Sequence, residues 1–144
     1  MFSKACEYGI RAAIYIAGQS LQNRKVSLKD VAKAIESPEA YTSKILQQLV
    51  RSNIINSEKG PTGGFSIDNT VTQKITLSSI VFAIDGNKVY TGCGLGLKRC
   101  NEKKPCPVHF KFKLIRENLK EMLELTTVYS LVEDMEKGLT FLKR

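Results

Sequence analysis

No stretch of the sequence approaches the roughly 18 uninterrupted apolar residues that a membrane helix needs. The N-terminal segment is broken by Glu7 and Arg11 and offers no small-residue cleavage site, so it does not read as a secretion signal. A cytoplasmic chain with no membrane partner is the expectation. Histidine is nearly absent, at one in 144 residues. With that imidazole spoken for below, and with Asp30 and Asp85 reading as a helix cap and a helix end, no catalytic constellation can be assembled. An enzyme is not expected. Cysteines number only four, and in a reducing compartment a cluster of them points to metal or redox chemistry rather than disulfides.

What the chain does have is positive charge. The net charge is +8, and residues 1–60 hold nine Lys and Arg against five Asp and Glu. Residues 61–104 hold six against three and residues 105–144 seven against six, so the excess lies in the first two-thirds. That distribution suits an anionic partner such as DNA. An ordinary hydrophobic fraction of 42% is enough for a folded core.

The periodicity predicts a first helix in "CEYGIRAAIYIAGQSL", with Ile10, Ala13, Ile14, Ala17 and Leu21 on one face. A second follows in "VSLKDVAKAI", opened by a Ser27–Asp30 capping box, with Leu28, Val31, Ala32 and Ile35 apolar. "ES" ends it. A third starts at once, with Ser37 as N-cap, Pro38 at the first helical position and Glu39 in the first turn. It buries Ile45, Leu46 and Leu49. Two helices joined by so tight a turn form a helix-turn-helix pattern. The early positions of the second, Tyr41, Thr42, Ser43 and Lys44, are those that reach bases and phosphates in that motif.

"IINSEKGPTGGFSI" then reads as strand, turn and strand, a wing with Lys59 and Thr62 near its tip. A capped helix pair alone fits any small helical domain. The wing and the local basic excess favour DNA. The GPTGG turn is not a nucleotide loop, because no Lys-Ser/Thr pair opens a helix after it.

"KITLSSIVFAIDG" predicts a further helix capped by Thr76 and stopped at Gly86. Next comes "TGCGLGLKRCNEKKPCPVH", which gathers Cys93, Cys100, Cys106 and His109 at C-x6-C-x5-C-x2-H spacing. Its density of Lys, Arg, Asn and Glu marks a solvated loop, so three buried apolar thiols are a poor reading. Zinc on Cys3His is a competitor, although structural zinc favours closer cysteine pairs. Iron–sulfur clusters are held mainly by thiolates, sometimes with histidine, and nearby cations favour those thiolates. Bare redox-sensitive thiols are the third possibility. Beyond the loop, "PVHFKFKLIRENLKEMLELTTVY" predicts one long helix, with Phe112, Ile115, Leu119, Met122 and Thr126 as a coiled-coil-like seam for a second copy.

The segment "VSLKDVAKAIESPEAYTSKILQQLVRSNIINSEKGPTGGF", with the cysteine loop before a long helix, resembles the Rrf/IscR/NsrR family of bacterial winged-helix transcription regulators. The resemblance spans about residues 1–125. It implies a homodimer on a palindromic operator, with a cofactor or thiol state modulating binding. Tyr41, Ser43 and Lys44 match recognition-helix positions and Lys59 the basic residue of the wing. Ser43 stands where some relatives have an acidic side chain that discriminates bases. The resemblance also implies an iron–sulfur cluster, 2Fe–2S in preference to 4Fe–4S, on Cys93, Cys100 and Cys106, with His109 as fourth ligand. Glu7 is the alternative fourth ligand, offered from the first helix, often of the partner chain. The first cysteine gap is one residue longer than the usual pattern. Cys6, beside Glu7, reads as a packed thiol.

The expected fold is therefore mainly α with a small β-wing. It divides into a winged helix-turn-helix domain (1–86), a sensor loop (87–109) and a dimerisation helix with a tail (110–144). The rival functions are a zinc-stabilised interaction module and a small iron–sulfur electron carrier.

Overall fold

The computed structural model describes residues 1–143. The chain runs α1 (Lys4–Leu21), α2 (Leu28–Ile35), α3 (Glu39–Arg51), β1 (Asn56–Glu58), β2 (Gly64–Ser66), α4 (Leu77–Asp85), α5 (Lys88–Thr91), α6 (His109–Leu125) and α7 (Val128–Glu136). The expected mainly helical fold with a small β-wing is the one observed.

Helix α1 is the hub, packing against α2, α3, α4 and α7. That crowding explains its composition. Its buried residues are Cys6, Gly9, Ala12, Ala13, Ile14, Ile16, Ala17 and Ser20, mostly small. The stripe read from the sequence was rotated. Ile10 and Leu21 are only half-buried, because the face presented to four neighbours is the one where small side chains let helices approach. A Cβ on Gly9 would collide with the Ile84 side chain and touch Ile45 at 3.5 Å. Cys6 is fully buried, and burial with the nearby Asp85 carboxylate pushes its thiol up to about 12. It is a packed thiol, as expected.

Ser27 caps α2 and the full capping box with Asp30 is present. Glu36 adopts a left-handed conformation (φ 55°) and breaks the chain between α2 and α3. The N-cap of α3 is not Ser37. Pro38 holds that place, and the Ser37 hydroxyl is buried with no hydrogen-bond partner among the described residues. The fixed φ of proline sets the helix entry, so the side-chain cap inferred from Ser37 is not used.

In the wing, Asn56 faces Ser66, Ser57 faces Phe65 and Glu58 faces Gly64. Gly60 (φ +97°) and Gly64 (φ +136°) occupy backbone conformations that other residues resist, which closes the hairpin. The wing is not a free flap. Phe65 exchanges backbone hydrogen bonds with Val26 at 3.0 and 2.7 Å, and Lys25 pairs with Glu58.

The C-terminal part departs most from expectation. The long helix stops at Leu125, Thr126 turns to extended backbone (φ −90°, ψ 116°), and Thr127 caps a separate helix, α7. The reason is tertiary. Leu77 N–H donates to Thr126 O and Val128 N–H to Ile75 O, each at 2.9 Å, so this segment crosses beside the start of α4. Val128 and Val132 of α7 are then buried, with Val132 against α1 at Gly18.

Candidate nucleic-acid interface and cysteine loop

The apolar side of α3 (Ile45, Leu46, Leu49) fixes which residues look outward. Ala40, Lys44, Gln47 and Arg51 are exposed and Tyr41 and Ser43 half-exposed. Tyr41 stacks edge-on against Tyr8 with ring centroids 5.7 Å apart, so its orientation is set by α1. Thr42 must be removed from the outward set. It is 0% exposed, and its hydroxyl donates to Pro38 O at 2.9 Å. Its position in the motif suggested a contact, but the helix turns that side chain into the core.

Gln47 and Arg51 were missed. Both lie one and two turns beyond Lys44 on the same exposed face, a 3.6-residue spacing present in the sequence. With Ser43, Val50, Ser57 and Phe65 they line a groove of ≈ 310 Å³ between α3 and the wing. Gln47 donates to Ser43 Oγ at 3.5 Å across one turn. Lys59 and Thr62 are exposed at the wing tip.

The cysteine loop lies between α5 and α6 and is held by α6. His109, Lys113 and Arg116 lie on the loop side of that helix. Cys100 Sγ is 3.2 Å from His109 Nδ1. Lys113 pairs with Glu102 at 2.9 Å, and Arg116 hydrogen-bonds both Cys100 Sγ and the Gly92 carbonyl. A hollow of ≈ 280 Å³ opens beside this pair, lined in part by Tyr90, Glu117 and Lys120. At the other end of the loop, Cys93 Sγ accepts the Leu95 N–H at 3.4 Å. That hydrogen bond, one from Leu97 and a further one from Cys106 hold the Cys93 thiol below its ordinary value.

Of the four loop donors, the structure brings Cys100 and His109 within hydrogen-bond distance of each other. No group of three metal-ligating side chains converges among the described residues. Glu7 stands apart, in an ion pair with Lys4 at 3.0 Å. The donor chemistry nonetheless suits a thiolate-held group. All three loop thiols are free and partly accessible, and His109 is 5% exposed with an Nε2 that has no hydrogen-bond partner among the described residues. A buried imidazole nitrogen left unpaired is costly unless something occupies it.

Comparison with known proteins identifies the family and agrees with the fold. A family model described as Rrf2, iron-dependent transcriptional regulator, matches residues 2–134. The chain belongs to the Rrf2 family. An Aquifex aeolicus chain named as an HTH-type transcriptional regulator is 29% identical over 141 residues, covering 96% of each chain. The global cysteine regulator CymR of B. subtilis superposes with TM-score 0.76 at 21% identity, covering 92% of this chain and 96% of that one. T. potens IscR superposes with TM-score 0.74 at 18% identity, covering 98% and 92%. This Rrf2-family protein is a winged-helix transcription regulator and not an enzyme. Among its described residues no helix is long and apolar enough to cross a membrane.

Proposed function

We propose that this Rrf2-family regulator is a cytoplasmic homodimer that binds a palindromic operator and senses iron–sulfur, nitric oxide or redox status through its cysteine loop. One observation carries the reading: α6 serves two faces at once. Its inner face grips the loop through His109, Lys113 and Arg116. Its outer face leaves Phe110, Leu114, Ile115, Met122 and Leu125 exposed. A loop that changes state therefore acts on the helix most suited to pair with a second copy.

The sequence seam is revised for this role. Phe112 and Leu119 are half-buried, Phe112 against Gly94 of the loop and Leu119 against the core, so the unpartnered stripe runs through Leu114 and Leu125 instead. Two chains joined there would place two α3 helices in successive major grooves, about 34–36 Å apart. Tyr41, Ser43 and Lys44 then face base edges and phosphates, while Lys59 and Thr62 bring the wing to the backbone or minor groove.

Cys93, Cys100 and Cys106 would hold an iron–sulfur cluster, 2Fe–2S in preference to 4Fe–4S, with His109 as the fourth ligand. The cluster would supply a centre that oxidants, nitric oxide and iron depletion alter. The orphaned nitrogen of His109 and its approach to Cys100 support it over Glu7, which remains the alternative from the partner chain. What the protein does is hold the loop ends at fixed places on α5 and α6, so that rearranging the thiols shifts α6.

The test is iron, sulfide and zinc analysis of anaerobically purified protein with its visible spectrum, followed by operator binding before and after metal removal. Brown protein with labile sulfide and unequal operator affinities is the expected result. Colourless protein with stoichiometric zinc would replace the cluster by zinc, and metal-free protein whose binding follows thiol oxidation would replace it by bare redox thiols. Equal affinities in both states would remove the sensing role.

A further inference from the structure

The cysteine loop has many cations in and beside it, and one on α6 differs from the rest. Lys98, Arg99, Lys103 and Lys104 are all exposed and make no side-chain ion pair among the described residues. Arg116, half-buried on α6, uses both terminal nitrogens of its guanidinium. Nη1 donates to the Gly92 carbonyl and Nη2 to Cys100 Sγ, the latter at 3.4 Å. Gly92 closes α5, its own N–H bonded to Lys88 O at 2.9 Å, and is the residue before Cys93. One planar fork therefore ties the chain entering Cys93 to the sulfur of Cys100, seven residues further on. A lysine ammonium is a point donor on a flexible stem and does not fix two partners in one plane.

We infer that Arg116 is the positioning residue of the sensor loop: it sets Cys93 and Cys100 in register against α6 and donates to the Cys100 sulfur. The inference rests, for its effect on a cluster, on the reading that Cys93, Cys100 and Cys106 hold one. Its effect on the loop does not. Two ties to α6 are then distinguishable. Lys113–Glu102 is an exposed ion pair, 2.9 Å apart, which salt screens and which contributes little order. Arg116 bonds a backbone carbonyl and a thiol, and a hydrogen bond to a ligand sulfur makes a bound cluster easier to reduce.

The experiment compares wild type, R116Q, R116K and the exposed-face control K111Q, each at full length. In metal-free protein, trypsin should cut after Lys98 and Arg99 several-fold faster in R116Q, at an intermediate rate in R116K and at the wild-type rate in K111Q. In protein reconstituted anaerobically, R116Q should lower the reduction midpoint and release iron to a chelator several-fold faster, with R116K partway. Thermal unfolding of each variant separates loop loosening from global destabilisation, and equal melting is expected. If R116Q matches wild type in both cleavage and midpoint, the assignment is wrong. If R116K matches wild type in both, charge alone suffices and the fork has no role. If wild type itself retains no iron and sulfide, the cluster reading fails, while the cleavage rates still decide for or against Arg116.

Discussion

Cys100 Sγ lies 3.2 Å from His109 Nδ1, so the middle of the cysteine loop meets the first residue of α6. The Nε2 of His109 is buried without a hydrogen-bond partner among the described residues. Replacing His109 by alanine in reconstituted protein should speed iron loss to a chelator roughly tenfold or more, as loss of a metal-site interaction commonly does. Glu7→Gln should leave that rate near wild type. The opposite pattern would transfer the fourth ligand to Glu7.

The outward residues of α3 and the wing should govern DNA affinity. Lys44→Ala and Lys59→Ala, tested by operator titration across salt concentrations, should each weaken binding. Each should also reduce the salt slope by about 0.9 if a phosphate contact is lost. Gln47→Ala, on the same exposed face, should lower preference for the operator over random DNA with little change in slope. A slope unchanged in both lysine variants would remove them from the interface.

Thr42 separates position in a motif from contact with DNA. Because its hydroxyl bonds Pro38 O inside the fold, Thr42→Val should cost about 1 kcal/mol of stability. Below its melting temperature the variant should bind the operator as wild type does. A large affinity loss in folded Thr42→Val protein would falsify the buried assignment.

The apolar stripe on α6 should hold the dimer. Leu114 and Leu125 are 63% and 74% exposed, and apolar residues repeated along one helix face usually meet a partner. Leu114→Lys with Leu125→Lys should give a monomer by analytical ultracentrifugation at unchanged helix content. Its affinity for a full palindrome should fall towards that for a half-site.

The Ser27–Asp30 capping box gives stability an acid limb. Hydrogen bonds from the Ser27 backbone and hydroxyl hold the Asp30 carboxyl below its usual 3.8. A carboxyl lowered in the folded state stabilises the protein fully above the unfolded-state value. That contribution fades as pH falls through the folded-state value. Denaturant titrations between neutral pH and pH 3 should show Asp30→Asn with a shallower loss than wild type. Being solvent-exposed, the effect should stay within about 1 kcal/mol.

Much of this was legible in the chain because the signals are local. The capping box at Ser27, the Thr76 cap, the glycine-closed wing and the apolar period of α3 depend on residues within a few positions of one another. The errors came where a distant partner decided. Pro38 and not Ser37 caps α3, the buried stripe of α1 is rotated, and Thr126 breaks a pattern that the sequence carries on through Tyr129.

At the site the division is similar. Spacing alone singled out Cys93, Cys100, Cys106 and His109, because cysteine and histidine are scarce and clustered here. It could not rank Arg116 above the other cations near the loop, since a side chain seven positions after His109 gains its meaning from the helix that turns it back to Cys100. The sequence by itself determined the helix-turn-helix, the wing and the clustering of three cysteines with the histidine, all written in short-range propensity and composition. Tertiary structure alone decided which face of α1 is core, where α6 ends and which cation reaches the thiol, because these depend on burial and on backbone pairing between Ile75 and Val128, residues far apart in the chain.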